Sequence, residues 1–318
     1  MRRALLLRLS SLGDVVLTSA LIEPLKEAGY EVYLFTYAPY GRLFYRDPRV
    51  KAVETTRKTL FTDFKSLPPF ELKLDLQKSL KSYLLRLLAP GRWRSYPKES
   101  LRRRLALYFP RLRKPYSVVE AYGKALEGLV ELKRPLRPKV ELPQEDAERY
   151  RRRFGPYAVI APGARYEKKR YRRFRRVAEL LKKEGLMPVW VGSAEERPLA
   201  EGAEGVNLCG ELPLEELPAV VKGAEVFLGN DSGLTHLARA VGTPAVQVYG
   251  ATHPTLGFAL GPDEGKVLVK NLPCQPCSLH GKGGCRHGLA CLDFEPEELA
   301  AAALSLVSGG RAQSPGKS

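Results

Sequence analysis

The sequence predicts an α/β protein of two domains, each a mainly parallel sheet covered by helices, with a cleft between them. Three observations carry that prediction. Short apolar runs alternate with segments of helical period along most of the chain. The alternation breaks in a proline- and charge-rich stretch near the middle and then restarts. In each half, a loop of small polar residues leads from a buried strand straight into a helix. With 318 residues, 44% of them hydrophobic, the chain can bury two ordinary cores.

In chain order, Ala4 to Leu9 reads as the first strand. Its leucines follow Arg2 and Arg3 as in a signal peptide, but Arg8 interrupts the run too early and no small-residue cleavage site follows, so the expected compartment is the cytoplasm. Ser10-Ser11-Leu12-Gly13-Asp14 closes the strand, and Val15 to Lys26 carries apolar residues at helical spacing. Further strands are predicted at Glu31 to Phe35 and Leu72 to Leu76, then a basic helix from Ser79 to Leu88. Arg134 to Pro143 lacks an apolar period and Glu145 to Phe154 reads as a polar helix, which puts the domain boundary near residue 150. The pattern then resumes with strands at Tyr157 to Ala161, Pro188 to Val191, Val226 to Leu228 and Ala245 to Val248. Helices at Arg172 to Glu184, Leu214 to Lys222 and Gly233 to Val241 lie between them. The expected domains are therefore 1–150 and 151–307, with a small, polar, disordered tail at 308–318.

A formal charge of +17 and a pI near 9.7 point to an anionic partner: nucleic acid, a phospholipid surface or a phosphorylated substrate. The basic residues gather in 92–114, 133–139 and 165–176, although the solvated faces of an arginine-rich thermostable protein would look the same. No uncharged stretch approaches the roughly 18 residues that span a bilayer, which leaves only peripheral membrane roles.

The strongest local motif is Gly229-Asn230-Asp231-Ser232-Gly233-Leu234-Thr235-His236, which follows a buried strand and opens a helix. Unpaired N–H groups of a first helical turn and the positive end of its dipole make such a junction an anion site. Ser232 and Thr235 can add hydroxyls, and His236 lies one turn in. A plain helix cap by Asp231 or Ser232 would present the same residues. Asp14 stands at the equivalent junction of the first half, where it is either a cap or a carboxylate placed to accept a proton from a sugar hydroxyl. The loop Pro162 to Tyr171 supplies lysines and arginines that can reach an anion at the Asp231 helix. Glu195-Glu196 is either a ribose contact or an exposed helix start. No Walker loop and no Gly-x-Gly-x-x-Gly are present, against ATP hydrolysis and dinucleotide binding.

Together these motifs resemble the ADP-heptose:lipopolysaccharide heptosyltransferases, a family with two Rossmann-like domains in the GT-B arrangement. The resemblance runs from Arg8-Leu9-Ser10-Ser11-Leu12-Gly13-Asp14-Val15 to Ala245-Val246-Gln247-Val248-Tyr249-Gly250-Ala251-Thr252-His253-Pro254. It implies Asp14 as general base and Lys169 beside the donor phosphates. Lys168 is the alternative, because Arg170-Tyr171 stands where members often carry a tryptophan close to the lysine. On the donor side the resemblance implies Asp231, Ser232, Gly233, Leu234, Thr235, His236 and Thr252, with Leu212 as an adenine wall, where ordinary core would look the same; Glu196 is the candidate at the ribose. Candidate acceptor contacts are Ser11 and Gly13 of the Asp14 loop and Arg92 and Lys98 of the basic segment, which can grip phosphates or carboxylates. The implied reaction inverts the anomeric centre as ADP leaves an ADP-sugar, with no metal and no cofactor besides the donor. The acceptor would be an anionic lipid-linked saccharide, met by a monomer in peripheral contact with an anionic membrane. The segment Arg92 to Lys114, interleaved with Trp93, Tyr96, Leu105, Leu107, Tyr108 and Phe109, would lie on the headgroups.

Cys274-x2-Cys277-x7-Cys285-x5-Cys291 has the spacing of a zinc knuckle, but two disulfides or reduced thiols fit it equally. Cys209 reads as a small buried hydrophobe. A basic nucleic-acid-binding protein with a zinc knuckle is the alternative function; it accounts for charge and cysteines and leaves Asp14 and the Asp231 helix without a role.

Overall fold

The computed structural model describes residues 2–312. The first half comprises β1 (Arg2–Leu7), α1 (Leu12–Leu17), α2 (Ile22–Glu27), β2 (Tyr30–Tyr37), β3 (Val50–Thr55), α3 (Leu60–Lys65), β4 (Leu72–Asp75), α4 (Leu80–Leu88), β5 (Trp93–Ser95), α5 (Ser100–Leu105) and α6 (Val118–Gly123). The second comprises α7 (Gln144–Phe154), β6 (Tyr157–Ala161), α8 (Phe174–Lys183), β7 (Met187–Trp190), β8 (Val206–Asn207), α9 (Leu217–Gly223), β9 (Val226–Asn230), α10 (Gly233–Val241), β10 (Ala245–Val248), β11 (Gly265–Leu268) and α11 (Pro296–Ala312). Strand order is β3-β2-β1-β4-β5 in one sheet and β11-β10-β9-β6-β7-β8 in the other. All pairings are parallel. The expected fold class, two parallel α/β domains in the GT-B arrangement, is the one observed.

β1 explains why its run is apolar without alternation. It is central in its sheet and buried on both faces: Ala4 and Leu6 join the cluster facing α1, and Leu5 and Leu7 join the one covered by α3 and α4. The cluster containing Ala4 and Leu6 continues through Val16 to Leu237 and Val241, so one core reaches across both halves. Backbone bonds reinforce the junction, Val118 N–H to Gly257 O at 3.0 Å and Val140 N–H to Ala240 O at 2.8 Å.

The helix expected over Val15 to Lys26 is broken into α1, a 3-10 turn at Thr18–Leu21, and α2. The Thr18 and Ser19 hydroxyls donate to Val15 O and Val16 O, both at 2.6 Å, and Pro24 has no N–H to return to Ala20. The expected boundary at 150 falls inside α7. Tyr150 Oη donates to Glu216 at 3.0 Å and Arg151 to Gly223 O at 3.0 Å, so we place the start of the second unit at Gln144. Residues 308–312 of the expected tail belong to α11, and residues 313–318 lie outside the described residues. No helix among the described residues is long and apolar enough to cross a membrane.

Candidate active site

β1 and β9 end at the same cleft and deliver the first turns of α1 and α10 to one another. Glycines allow the approach. A Cβ on Gly13 would stand 2.8 Å from His236 Cδ2 and 3.1 Å from Gly233 Cα, and one on Gly233 would stand 2.6 Å from Leu12 Cδ2. Gly13→Ala is therefore expected to lower the free energy of unfolding by about 1–3 kcal/mol, read from the urea midpoint.

The cleft holds a cavity of about 340 Å³. From the first half it is lined by Arg8, Ser11, Gly13, Asp14, Tyr96, Lys98 and Arg103, and from the second by Lys169, Asp231, Ser232, Gly233, His236 and His280. A larger cavity of about 730 Å³ lies at the other end of α10, between α2 and the 133–141 connection. Most of its charges pair within its own walls, Lys133 with Glu27, Arg137 with Asp263 and Arg239 with Glu264. Among the described residues, the smaller cavity joins cations to two carboxylates at helix starts, Asp231 buried and Asp14 part-buried.

Asp14 is the third residue of α1. Its Oδ2 receives Arg8 Nη2 at 2.8 Å and the Ser11 N–H and hydroxyl at 3.3 and 3.0 Å. Oδ1 has no hydrogen-bond partner among the described residues, and the side chain keeps 20% exposure toward the cavity. Burial disfavours the Asp14 carboxylate, but the Arg8 guanidinium and Ser11 outweigh it and hold its pKa below the ordinary aspartate value. Arg8 is itself 6% exposed, with Nε on Ser10 O at 2.8 Å. The sequence marks Arg8 as a charge interrupting an apolar run but does not show that it pairs with Asp14.

Across the cleft, Asp231 Oδ2 meets Lys169 Nζ at 2.8 Å and the Thr252 hydroxyl at 2.7 Å. Burial opposes its charge, and Lys169 with Thr252 overcomes that, holding its pKa low. Lys169 reaches the cavity, whereas Lys168 turns away to Cys277 Sγ at 3.6 Å. Asn230, fully buried, ties the lysine loop to β9 by accepting the Tyr171 N–H and donating to Pro162 O and Gly163 O.

His236 is 4% exposed, and its Nδ1 has no hydrogen-bond partner among the described residues. Burial pushes its pKa down to about 4, with Asp231 pulling the other way, so the ring is neutral at pH 7. In the unfolded chain the pKa is near 6.5. Below that pH the unfolded state takes up a proton that the native state refuses, so stability falls as pH drops from 6.5 to 4. The loss amounts to about 3 kcal/mol. His236→Gln should remove that part of the acid sensitivity, seen by urea titrations of both proteins at pH 7 and pH 4.

Other expected residues are placed differently. Thr235 is fully buried and its hydroxyl is committed to Asn230 O at 2.6 Å, tying α10 to β9. Thr252 acts on Asp231 and does not line the cavity. Leu212 and Leu234 pack on the main buried cluster. Glu196 lies at the same rim of the second sheet, its carboxylate over Gly163 and accepting the Ser193 N–H at 2.9 Å, outside the cavity lining. Arg92 precedes β5 and pairs through its carbonyl with Lys73, at the end of the sheet opposite the cavity. In that stretch it is residues after β5 that reach the cavity: Tyr96, Lys98, Ser100, Arg103 and Arg104. The parallel strand direction separates the two ends by about 10 Å.

Cysteines 274, 277, 285 and 291 line a separate cavity of about 230 Å³ as free thiols. Among the described residues no three His, Cys, Asp or Glu side chains converge to hold a metal ion, so the zinc-knuckle expectation finds no support. What the segment does contribute is His280, whose pKa is lowered by burial and by Arg103 and Lys169. Gly281 beside it passes over Lys169, where a Cβ would stand 2.8 Å from Cγ. Cys209 is buried as expected, and burial pushes its thiol up to about 11.

Residues 67–282 match Glycosyltransferase family 9 (heptosyltransferase). The chain belongs to this family. It is 32% identical over 111 residues to lipooligosaccharide heptosyltransferase 2 of Haemophilus influenzae, covering 32% of this chain and 31% of that protein. It is 32% identical over 130 residues to lipopolysaccharide heptosyltransferase 1 of Pseudomonas aeruginosa, covering 38% and 36%. Each match thus spans about a third of the relative's length. Among solved structures, the ADP-heptose lipopolysaccharide heptosyltransferase II of E. coli superposes with a TM-score of 0.75 at 20% identity, over 97% of this chain and 99% of that one. At that identity the likeness concerns the fold.

Proposed function

We propose that this family 9 member is an inverting glycosyltransferase that moves heptose, or a related sugar, from an ADP-sugar to a lipopolysaccharide-type or other lipid-linked anionic glycan. It would work as a monomer at the cytoplasmic face of the cell membrane, without a metal or further cofactor. One observation carries the reading: Asp14, the N-terminus of α10 and the Lys169 ammonium line a single cleft. Asp14 accepts the proton of the acceptor hydroxyl as its oxygen attacks the anomeric carbon. The bond from that carbon to the diphosphate breaks, and the electron pair goes to a phosphate oxygen stabilised by Lys169 and the N–H groups of the first turn of α10. Attack from the α1 side with departure on the α10 side inverts the centre. Ser11, Gly13 and Lys98 flank the acceptor, and Glu196, at the rim of the second sheet, lies on the nucleoside side.

A donor panel of ADP-heptose, UDP-sugars and GDP-sugars, read by thermal shift and by nucleotide release with lipid acceptor, tests this. Stabilisation and turnover confined to ADP-sugars are expected. Preference for another nucleotide would overturn the donor, and salt-sensitive RNA or DNA binding without sugar-nucleotide affinity would overturn the transferase.

A further inference from the structure

Large apolar side chains left in solvent are not scattered over this protein: of eleven among the described residues, nine fall between Leu80 and Phe109. Single exposed leucines are ordinary, whereas a concentration of them marks a contact surface. On α4 the outward residues are Leu80, Leu84, Leu87 and Leu88, at 75%, 42%, 78% and 40% exposure, while Ser82 and Leu85 face inward. The spacing i, i+4, i+7, i+8 is the apolar stripe of an amphipathic helix, here turned away from the core. α5 and the turn that continues it repeat the spacing with Leu101, Leu105, Tyr108 and Phe109, the Phe109 N–H closing on Leu105 O at 2.9 Å. Both stripes begin at the mouth of the cleft. Lys98 Nζ donates to Gln77 O at 3.2 Å, Lys78 Nζ donates to Tyr96 O at 3.0 Å, and Lys98, Ser100 and Arg104 line the cavity.

Charge selects the occupant. Residues 78–114 hold twelve lysines and arginines and one acid, Glu99, a net +11 of the chain's +17. A second copy docked stripe to stripe about a twofold axis would set like charges against like. Acyl chains beneath anionic headgroups satisfy both the leucines and the cations. We propose that α4 and α5 form the face by which the protein docks on an anionic bilayer, with the apolar stripes in the headgroup–acyl boundary and the mouth of the cleft held against the lipid. The inference rests on the proposed function for its use, delivery of a lipid-linked acceptor, and on the exposed stripes for its evidence.

The test is flotation of the full chain with vesicles of phosphatidylcholine alone and of phosphatidylcholine with roughly 30 mol% phosphatidylglycerol. Native protein is compared with Leu84→Ser/Leu87→Ser and Leu101→Ser/Tyr108→Ser. Native protein should float with the anionic vesicles only. Each double variant should lose about tenfold in bound fraction, with unchanged melting temperature, ADP affinity and monomeric elution. Equal flotation of the variants, no flotation of the native chain, or a native dimer that the substitutions split would overturn the docking face. Vesicle binding that needs the stripes but comes without ADP affinity would instead sink the proposed function and leave the docking face standing.

Discussion

Asp14→Asn should lower kcat by about 10²–10⁴-fold while leaving ADP affinity within about twofold. The substitution keeps the shape of the side chain and its place on α1 but removes the one carboxylate that, among the described residues, lines the cavity from the first half. Because Arg8 and Ser11 hold the Asp14 pKa below the ordinary aspartate value, the acid limb of kcat/KM should lie on the acid side of the usual aspartate range rather than near neutrality. The base form is therefore fully present across the physiological range. Arg8→Met removes that hold and leaves burial in charge, so the acid limb should move upward in pH. A profile of kcat/KM for both variants and the native enzyme checks the two statements together; an unshifted limb in Arg8→Met would mean that the titrating base is another group.

Lys169→Met should cost about 10²–10³-fold in kcat/KM, and the loss should appear in ADP binding as well. Two effects coincide. A diphosphate at the start of α10, as proposed, would lose the Lys169 ammonium, and Asp231, 6% exposed at its side chain, would keep a buried carboxylate that repels the incoming phosphates. Adding Asp231→Asn to Lys169→Met removes the repulsion but not the missing cation. The double variant should therefore recover part of the loss, a coupling that steady-state kinetics on the four members of the cycle would measure. Additive losses would place Asp231 outside the electrostatics of the donor site.

The parts of this fold legible in the sequence are those whose pattern is local. β6, β10 and α10 are found at their predicted limits because a buried parallel strand is a continuous apolar run and a helix start after Asp231-Ser232-Gly233 has its own polar signature. Edge strands escape that logic: β3 and β11 are partly exposed, mixed in polarity, and owe their existence to pairing with β2 and β10. At the site, Asp14, Lys169 and Asp231 are visible as loop residues at strand ends. Their partners are not, since Arg8 reaches Asp14 only after β1 has set the direction of its side chain, and His280 reaches the cavity only through the fold of the cysteine segment. Arg92 lies away from the cavity, a placement hidden in the sequence because composition marks a basic stretch without saying which end of β5 faces the cleft.

Calorimetric titration of ADP into native protein, Asp14→Asn and Lys169→Met tests the central claim, a cleft divided between a base on α1 and a diphosphate site on α10. Binding to the native chain, retained within about twofold by Asp14→Asn and weakened about tenfold or more by Lys169→Met, is the result the structure leads to. No binding to the native chain, or equal weakening by both substitutions, would contradict it.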